Sequence, residues 1–402
     1  MKFAFKTLGC KMNWLDSARI TAGLQSAGHI FVDDEESADI VFINSCTVTA
    51  RADRQSRQEA FKAERIAGQV AVFGCGVRVD GEKWKTNFSN ALLFLGEKEI
   101  FEHFGVEADE IPSPISDRTR IPIAIQTGCD NACTFCITRI ARGRTESFPL
   151  SNILFQINRA AHSGAKEIIL TGIQLASWGC DDSLKNPQDS RLPELLQEIL
   201  EKTEIPRIRL SSLGPQFLTP AFFEVFKNPR ICDHLHLSVQ SGSPEILKKM
   251  NRGHGREEIL EIAKNARFVR PDTAFTADII VGFPGETEEN FLETLDLVQK
   301  VGFSHLHVFP FSPRSGTGAA NFPHQISADT KKERALHLRT LGSVLAKDFA
   351  QKMEGKTVEV LTELGGSGLS TNYLRLRVPD AKRNEIIKVV VRTEDILPHS
   401  GD

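Results

Sequence analysis

The sequence predicts a multidomain α/β protein with an N-terminal α/β domain, a six-stranded (β/α) partial barrel of the TIM type and a small C-terminal antiparallel β-barrel. Three observations support this class. Short apolar runs alternate with helical periodicity near the N-terminus, six strand–helix repeats follow, and brief alternating strands come last. We expect the three domains at residues 1–110, 115–345 and 350–402.

Composition limits the class of protein further. The chain has 402 residues, of which 41% are hydrophobic and 25% charged, values typical of soluble globular proteins with more than one domain. No apolar run could span a bilayer and the first residues lack a signal-peptide core, so we expect a cytoplasmic protein without a membrane partner. The eight cysteines are then expected to serve metal or redox chemistry. A net charge of −3 does not indicate nucleic-acid binding, so any RNA contact must come from local patches.

Three cysteines of the N-terminal domain each follow a predicted strand. We expect the strands at residues 2–8, 38–43 and 69–73, with helices at 17–27 and 52–67. The cysteines that follow the strands are Cys10, Cys46 and Cys75. Because ligands of open α/β sheets bind outside the carboxyl ends of the strands, these thiols should converge on one edge and form a metal site. The alternative is that each is a buried packing residue, since cysteine is among the most buried residue types.

A second set of cysteines lies at C-x3-C-x2-C spacing after the apolar run 121–125. Its members are Cys129, Cys133 and Cys136. Thiolates are the ligands of iron–sulfur clusters, which normally take four of them, so three suggest that one iron is left open for another ligand. The alternative is a structural zinc site, which would need a fourth cysteine or histidine at ligand spacing. No histidine lies within this loop.

Polar residues follow the predicted barrel strands, where barrel enzymes place their chemistry. We expect the later strands at residues 166–170, 207–210, 234–239, 276–281 and 305–310. The candidates for binding a cofactor or substrate are Gln174, Ser211, Ser238 and Gln240. Ordinary polarity at strand ends is the alternative. A helix over 329–353 ends this domain.

Two basic regions could supply the local RNA contacts. Arg142 and Arg144 follow the C-x3-C-x2-C loop and could contact RNA phosphates or a cofactor carboxylate. In the C-terminal domain, whose strands we expect at 357–361, 371–378 and 386–392, Tyr373 lies beside Arg375 and Arg377 and could stack on an unpaired base. Solvated surface charge is the alternative for each region.

Three further features complete the prediction. Pro112, Ser113, Pro114 and Ser116 interrupt the periodicity and predict a linker. Cys180 and Cys232 have no ligand spacing. We expect Cys180 in an exposed polar loop and Cys232 in the core.

The C-x3-C-x2-C loop, with Phe135 before its third cysteine, resembles the signature of radical S-adenosylmethionine (SAM) enzymes. The resemblance implies a six-stranded partial-barrel core and a 4Fe-4S cluster whose open iron binds the amino and carboxylate groups of SAM. In that superfamily, electron transfer from the cluster cleaves SAM to methionine and a 5′-deoxyadenosyl radical. Phe135 is then expected beside the bound cofactor.

The N-terminal triad extends the resemblance to the methylthiotransferases, on residues 7–13 (TLGCKMN), 44–49 (NSCTVT) and 74–75. Residues 44–49 and 52–58 (ADRQSRQ) are similar to the subgroup that acts on N6-threonylcarbamoyladenosine in tRNA. After the third cysteine, Gly76-Val77-Arg78 replaces the Ala-Gln pair that relatives often carry, a departure that removes no ligand and concerns the pocket beside it.

This resemblance implies a function. A second 4Fe-4S cluster, the auxiliary cluster, would be held by Cys10, Cys46 and Cys75 and would carry sulfur on its open iron, and all six cysteines would be catalytic. The product would be 2-methylthio-N6-threonylcarbamoyladenosine at position 37, in the anticodon loop of tRNA. The C-terminal domain resembles the RNA-binding TRAM module. A flavodoxin or ferredoxin is the expected electron donor, and a monomer is the expected state.

Four alternatives stay open. Two lie within the family: methylthiolation of N6-isopentenyladenosine in tRNA, and of an aspartate in a ribosomal protein. A non-catalytic iron–sulfur electron carrier is a third, although it would favour closed four-cysteine sites. A tRNA-binding protein with structural zinc is the fourth. The motif around Cys46 favours threonylcarbamoyladenosine, but substrate identity rests on analogy alone.

Overall fold

A computed structural model describes residues 1–107, 118–180 and 189–398. The chain divides into two compact units. The first comprises Met1–Ser116, Gly128–Arg144 and Ser312–Ala320, and the second comprises the remainder. The predicted linker at Pro112, Ser113, Pro114 and Ser116 lies outside the described residues, and the three expected domain ranges stay a prediction.

The first unit is an α/β sandwich. Its strands are β1 (Lys2–Thr7), β2 (Ile30–Phe31), β3 (Ile40–Ser45), β4 (Gln69–Gly74) and β5 (Leu92–Leu93). Its helices are α1 (Lys11–Ser26), α2 (Ala50–Ile66), α3 (Cys75–Asn87), α4 (Glu97–Phe104) and α5 (Thr138–Arg142). The strands form one parallel sheet in the order β2-β1-β3-β4-β5. The three predicted strands are thus confirmed, and β2 and β5 are additional two-residue edge strands.

Alternation along the central strand explains why helices cover both faces of this sheet. Every residue of β3 is buried. Phe42 packs in a cluster with Ile20 of α1, whereas Val41 and Ile43 pack in a second cluster with Trp84 of α3. Near-continuous burial on both faces is characteristic of parallel strands covered by helices. The carboxyl ends of β1, β3 and β4 therefore form one shared edge.

The second unit contains the partial barrel and the C-terminal sheet. Its strands are β6 (Arg120–Ala124), β7 (Gln126–Thr127), β8 (Glu146–Ser147), β9 (Glu167–Thr171), β10 (Arg207–Leu210), β11 (Ser212–Leu213), β12 (His234–Gln240), β13 (Ala274–Val281), β14 (His305–Pro310), β15 (Thr357–Glu363), β16 (Ser367–Ser370), β17 (Arg375–Arg377) and β18 (Ile386–Val390). Its helices are α6 (Leu150–His162), α7 (Leu192–Lys202), α8 (Pro220–Phe226), α9 (Pro244–Lys249), α10 (Arg256–Val269), α11 (Glu288–Val301) and α12 (Ala328–Met353).

Six parallel strand positions build the barrel wall, as predicted. The strands pair in the orders β6-β9-β10 and β11-β12-β13-β14. Only Ser211 separates β10 from β11, so this third strand pairs with β9 through its first half and with β12 through its second. Leu235, Leu237 and Val239 of β12 join the main hydrophobic core. Because side chains alternate along a strand, the intervening polar residues lie on the opposite, inner face.

The C-terminal sheet has four antiparallel strands in the order β17-β16-β15-β18. The expected strand at 371–378 is only partly correct, because β16 at Ser367–Ser370 precedes it and β17 has three residues. Between them Tyr373 adopts a left-handed φ of 70°, which interrupts extended structure. Closure of this sheet into a barrel stays a prediction.

Buried arginines attach the C-terminal sheet to the first residues of the barrel strands. Arg207 donates to the Leu369 carbonyl at 3.1 Å, and Arg209 donates to the Ser370 carbonyl at 2.9 Å. Both guanidinium groups also pair with the fully buried Glu167, each at 2.7 Å. These contacts place the sheet at the amino ends of the strands, opposite the edge where barrel chemistry occurs. Among the described residues, no helix combines the length and apolarity needed to cross a membrane.

Candidate functional site

The N-terminal cysteines come together at the shared edge of the first unit. Cys10 follows β1, Cys46 follows β3, and Cys75 begins α3 directly after β4. The Asn13 side-chain oxygen lies 3.8 Å from the Cys10 sulfur and 3.9 Å from the Cys75 sulfur. A Cβ atom on Gly9, which has a φ of +95°, would lie 2.8 Å from the Cys46 sulfur. The structure thus brings the three thiols together, and we refer to them as the auxiliary triad.

Side-chain hydrogen bonds hold the loops of the auxiliary triad in place. The Asn13 amide donates to the Leu8 carbonyl at 2.8 Å and to the Ser45 carbonyl at 3.2 Å, so it joins the loops after β1 and β3. The Cys46 backbone N–H donates to the Ser56 hydroxyl at 3.0 Å, which ties the second cysteine to α2. Because these donors and acceptors are buried, leaving any one unpaired would cost roughly 1–3 kcal/mol. The frame around the thiols is therefore well defined.

Burial makes two of these thiols difficult to ionise. Cys46 and Cys75 are 6% and 7% exposed. Burial raises the pKa of Cys46 to about 11, and it also raises the pKa of Cys75, although the positive charge of Arg142 opposes that rise. Metal ligation needs thiolates, so a group that binds here must compensate for the loss of protons. A positive charge close to the sulfurs lowers that cost.

Arg142 provides this charge, and its position corrects the RNA-binding prediction for it. Its side chain is 5% exposed, and its guanidinium donates to the Asn13 side-chain oxygen at 2.6 Å and to Asp16 at 2.8 Å. Burial alone would lower the Arg142 pKa, but Asp16 and the thiols of Cys75 and Cys10 raise it. The charged guanidinium therefore lies beside the auxiliary triad, buried away from any RNA phosphate.

The second triad lies in a loop that closes on itself within the first unit. The Cys129 backbone N–H donates to the Gly143 carbonyl at 3.1 Å, and the Cys136 N–H donates to the Cys133 carbonyl at 3.1 Å. The Thr138 N–H at the start of α5 donates to the Cys136 sulfur at 3.4 Å. All three cysteines are partly exposed, unlike Cys46 and Cys75. Phe135, in the same loop, is also partly buried.

Glycine is required where this loop closes. Gly128 has a φ of +68°, and a Cβ atom there would lie 1.7 Å from the Arg144 carbonyl oxygen. A backbone atom cannot move aside as a flexible side chain could. Any other residue at 128 would therefore separate the two ends of the loop and disturb the cysteines between them.

A distant segment also contacts both cysteine regions, and sequence reasoning missed it. The Ala319 N–H donates to the Thr134 carbonyl at 2.8 Å, within the second triad's loop. Arg314 hydrogen-bonds the Thr47 hydroxyl next to Cys46 and lies 3.9 Å from Asp53. No local pattern marks Arg314 or Asp16 as site residues, because each acquires its role from neighbours far along the chain.

The predicted cofactor residues of the second unit lie at carboxyl ends of barrel strands. The Gln174 N–H donates to the buried Gln126 side-chain oxygen at 2.9 Å. The Ser211 hydroxyl is buried without a hydrogen-bond partner among the described residues, as a ligand-facing group would be. Ser238 receives a hydrogen bond from Arg252 at 3.1 Å, and Gln240 has a left-handed φ of 72°. Their cofactor roles stay predictions.

The remaining RNA-binding candidates differ in how exposed they are. Arg144 and Arg377 are exposed, whereas Arg375 is partly buried and donates to the Ser367 hydroxyl at 3.3 Å. The Tyr373 ring stacks on His234 of the barrel, with centroids 4.0 Å apart and planes 6° apart. This ring is partly exposed and packs within the second unit, where it helps to hold the C-terminal sheet to the barrel, and its role in base stacking stays a prediction.

The two other cysteines are both buried. Cys232 is 1% exposed, as predicted for a core residue. The expectation of an exposed Cys180 is wrong, since it is 7% exposed and its sulfur lies 3.0 Å from the Asp189 carbonyl oxygen. Neither belongs to a triad, which makes both useful as control positions.

Two family descriptions match the chain. Residues 2–96, which contain the auxiliary triad, match the Uncharacterized protein family UPF0004. Residues 123–298, which contain the second triad and much of the barrel, match the Radical SAM superfamily. Together they cover the two cysteine regions that the structure places in one unit.

A solved structure shows a similar fold. The radical S-adenosylmethionine methyltransferase TsrM from Kitasatospora setae, with cobalamin and a 4Fe-4S cluster bound, superimposes with a TM-score of 0.58 at 14% identity. The similarity covers 79% of this chain and 76% of that one. At this identity it supports the fold alone.

Curated relatives are much more similar in sequence. The threonylcarbamoyladenosine tRNA methylthiotransferase MtaB of Bacillus subtilis (strain 168) is 35% identical over 391 residues, covering 90% of this chain and 84% of that protein. A tRNA-2-methylthio-N(6)-dimethylallyladenosine synthase of Fusobacterium nucleatum is 36% identical over 389 residues, covering 90% and 88%. Radical SAM enzymes use S-adenosylmethionine and a 4Fe-4S cluster. Identity at this level along nearly the whole length shows that the chain belongs to the radical SAM tRNA methylthiotransferase family.

Proposed function

We propose that this protein inserts a methylthio group at C2 of N6-threonylcarbamoyladenosine at position 37 of tRNA, giving 2-methylthio-N6-threonylcarbamoyladenosine. The observation that carries the proposal is the presence of two separate three-cysteine sets in one compact unit. Reductive cleavage of SAM alone would need one set. Insertion of sulfur would need the second set as well.

The thiols of each set suit an iron–sulfur cluster. Cys129, Cys133 and Cys136 would hold the SAM-binding cluster, and the auxiliary triad would hold the second. Among the described residues, no three Cys, His, Asp or Glu side chains meet closely enough to hold a single metal ion. A cluster takes each thiolate at a different iron, so its ligands need not meet at one point.

When bound, SAM and the two clusters would supply the radical that removes the non-acidic hydrogen from C2 and the sulfur that replaces it, and a second SAM would supply the methyl group on that sulfur. The chain's own residues position these groups. Gly9 and Gly128 allow close backbone approach, Asn13 joins two cysteine loops, and the Thr138 N–H donates to the Cys136 sulfur. Arg142 offsets negative charge beside the auxiliary triad.

Other contacts complete the proposal. Phe135, Gln174, Ser211, Ser238 and Gln240 are proposed to contact SAM or substrate. Exposed Arg144 and Arg377, with Arg375, are proposed to contact tRNA phosphates, in a cytoplasmic and monomeric enzyme. A flavodoxin or ferredoxin is proposed to supply the electrons.

The choice of threonylcarbamoyladenosine rests on the sequence around Cys46. The named relatives do not separate it from the dimethylallyl substrate, since their identities of 35% and 36% are nearly equal. Part of the motif has a structural role. Thr49 caps α2 by accepting from the Ala52 N–H, and the Ser56 hydroxyl accepts from the Cys46 N–H. The Val48 backbone N–H hydrogen-bonds the Cys46 sulfur, whereas the Val48 side chain, which is 53% exposed, is proposed to contact a substrate.

Mass spectrometry of tRNA nucleosides tests the proposal. In cells lacking the gene, 2-methylthio-N6-threonylcarbamoyladenosine should disappear while N6-threonylcarbamoyladenosine accumulates. Wild-type protein and the control Cys180→Ala should restore the product, whereas Cys46→Ala and Cys133→Ala should not. Loss of the methylthio isopentenyl nucleoside instead would overturn the substrate assignment. If no tRNA nucleoside changes, the RNA substrate itself is wrong and ribosomal proteins should be analysed.

A further inference from the structure

A buried arginine connects the two cysteine sets. Arg142 lies at the last position of α5, six residues after Cys136. Its guanidinium nevertheless lies among residues of α1, at 2.6 Å from the Asn13 side-chain oxygen and 2.8 Å from Asp16. The short segment that carries the SAM-binding cysteines therefore also delivers a positive charge to the auxiliary triad.

Asn13 sets where that charge lies. Its amide donates to the Leu8 and Ser45 carbonyls, which orients its oxygen away from them. This oxygen accepts from Arg142 and is also within 3.8 Å of the Cys10 sulfur and 3.9 Å of the Cys75 sulfur. One fixed atom is thus shared by the guanidinium and two of the three thiols.

The charges around the auxiliary triad explain why a cation is useful there. Three thiolates in a largely buried site repel one another, and their burial without compensation is costly. The Arg142 guanidinium hydrogen-bonds the same Asn13 oxygen that lies beside the Cys10 and Cys75 sulfurs. Asp16 faces the same guanidinium and adds a negative charge, which offsets part of the effect while restraining the arginine.

We propose that Arg142 is a positioning residue that supplies compensating positive charge to the auxiliary cluster, and that Asp16 and Asn13 hold its guanidinium in place. The inference rests on the proposed second cluster. It implies that the charge makes the auxiliary cluster easier to reduce, because a nearby cation favours addition of an electron. It also implies that the loop of the SAM-binding triad must be folded for the auxiliary site to be complete.

The test uses the full chain with Cys129, Cys133 and Cys136 replaced by alanine, so that only the auxiliary triad can bind iron. Iron and sulfide content and an EPR-monitored redox titration are measured after anaerobic reconstitution. Arg142→Gln removes the charge, Arg142→Lys keeps it, and Arg144→Gln is the matched control because it removes an exposed charge two residues away.

We expect Arg142→Gln to shift the midpoint potential to a lower value or to lose the cluster. Arg142→Lys should retain the cluster with a potential closer to that of the parent, and Arg144→Gln should match the parent. Asp16→Asn removes the opposing charge and should shift the potential in the opposite direction. Opposite shifts of the midpoint potential in Arg142→Gln and Asp16→Asn are specific to an electrostatic role.

Two outcomes would overturn the inference. One is an Arg142→Gln cluster with the parent's potential, and the other is an Arg142→Lys variant that fails as completely as Arg142→Gln, which would show a purely structural contact. Failure of the parent itself to bind a cluster is a different result. If wild-type protein binds two clusters, that failure supports the requirement for a folded SAM-binding loop, whereas wild-type protein that binds no more iron than Cys46→Ala would refute the auxiliary cluster in the proposed function.

Discussion

Glu167 offers a sharp test of how the C-terminal sheet is held to the barrel. The carboxylate is fully buried, pairs with Arg207 and Arg209 at 2.7 Å each, and lies 3.8 Å from the Cys232 sulfur. Both arginines in turn donate to carbonyls of the C-terminal sheet. Replacing Glu167 with glutamine keeps the shape of the side chain but leaves two buried cations without their counter-charge.

Two considerations give the cost of this change, one from the structure and one from buried ion pairs in general. Burial alone would raise the pKa of Glu167, but Arg209 and Arg207 outweigh burial and lower it from 4.5 to about 2. This difference between the unfolded and folded pKa of Glu167 corresponds to about 3 kcal/mol of folding stability at pH 7. Breaking a buried ion pair typically costs about 3–5 kcal/mol, which is consistent. We therefore expect Glu167→Gln to lower the free energy of unfolding by about 3–5 kcal/mol.

The same pKa predicts the direction of the pH dependence. Because the folded-state pKa is below the unfolded value, the stabilisation is complete above about pH 4.5 and is lost as the pH falls towards about 2. The wild-type protein should lose this contribution over that window. Glu167→Gln should lack it at every pH.

Urea denaturation with hydrogen exchange provides the assay. The control is Glu194→Gln, which breaks the ion pair between Arg191 and Glu194. Their side chains are 56% and 63% exposed, so this change should lower the free energy of unfolding by only about 0–1 kcal/mol. Amides of β16 should lose protection in Glu167→Gln and keep it in the control. Equal denaturation midpoints for the two variants, with unchanged protection of β16, would refute the reasoning.

The remaining predictions concern the second triad and the C-terminal sheet. Gly128→Ala should abolish iron binding at the second triad, because its Cβ would overlap the Arg144 carbonyl. The control, Gly143→Ala, shares the positive φ but has open space around its Cβ, so it should lose less iron, and equal iron content would contradict this. Tyr373→Ala should loosen the C-terminal sheet by about 1 kcal/mol, since it removes the ring stack, and limited proteolysis should show faster cleavage there. Arg377→Ala should leave that cleavage unchanged and reduce the salt dependence of tRNA binding, and an unchanged salt slope would exclude a phosphate contact.

Much of the fold could be predicted because its signals are local. Apolar runs of four to eight residues followed by helical periodicity identified β1, β3, β4 and the six barrel positions, with limits close to those observed. The helix predicted at 329–353 is observed as Ala328–Met353. β16 was not predicted because it contains Gly368, and glycine is rare in strands. A Cβ atom at position 368 would lie 2.4 Å from the Val360 side chain, so the close packing there requires glycine.

The residues that could carry the chemistry are recognisable from the amino-acid sequence alone. Two cysteine triads are recognisable from spacing and from their positions after strands, since parallel strands end at a common edge. The surroundings of these cysteines depend on the folded chain. Arg142 and Tyr373 appeared to be surface residues suited to RNA, yet they pack against Asp16 and His234, more than one hundred residues away in the chain. Burial and charge pairing depend on such distant neighbours, and no local pattern encodes them.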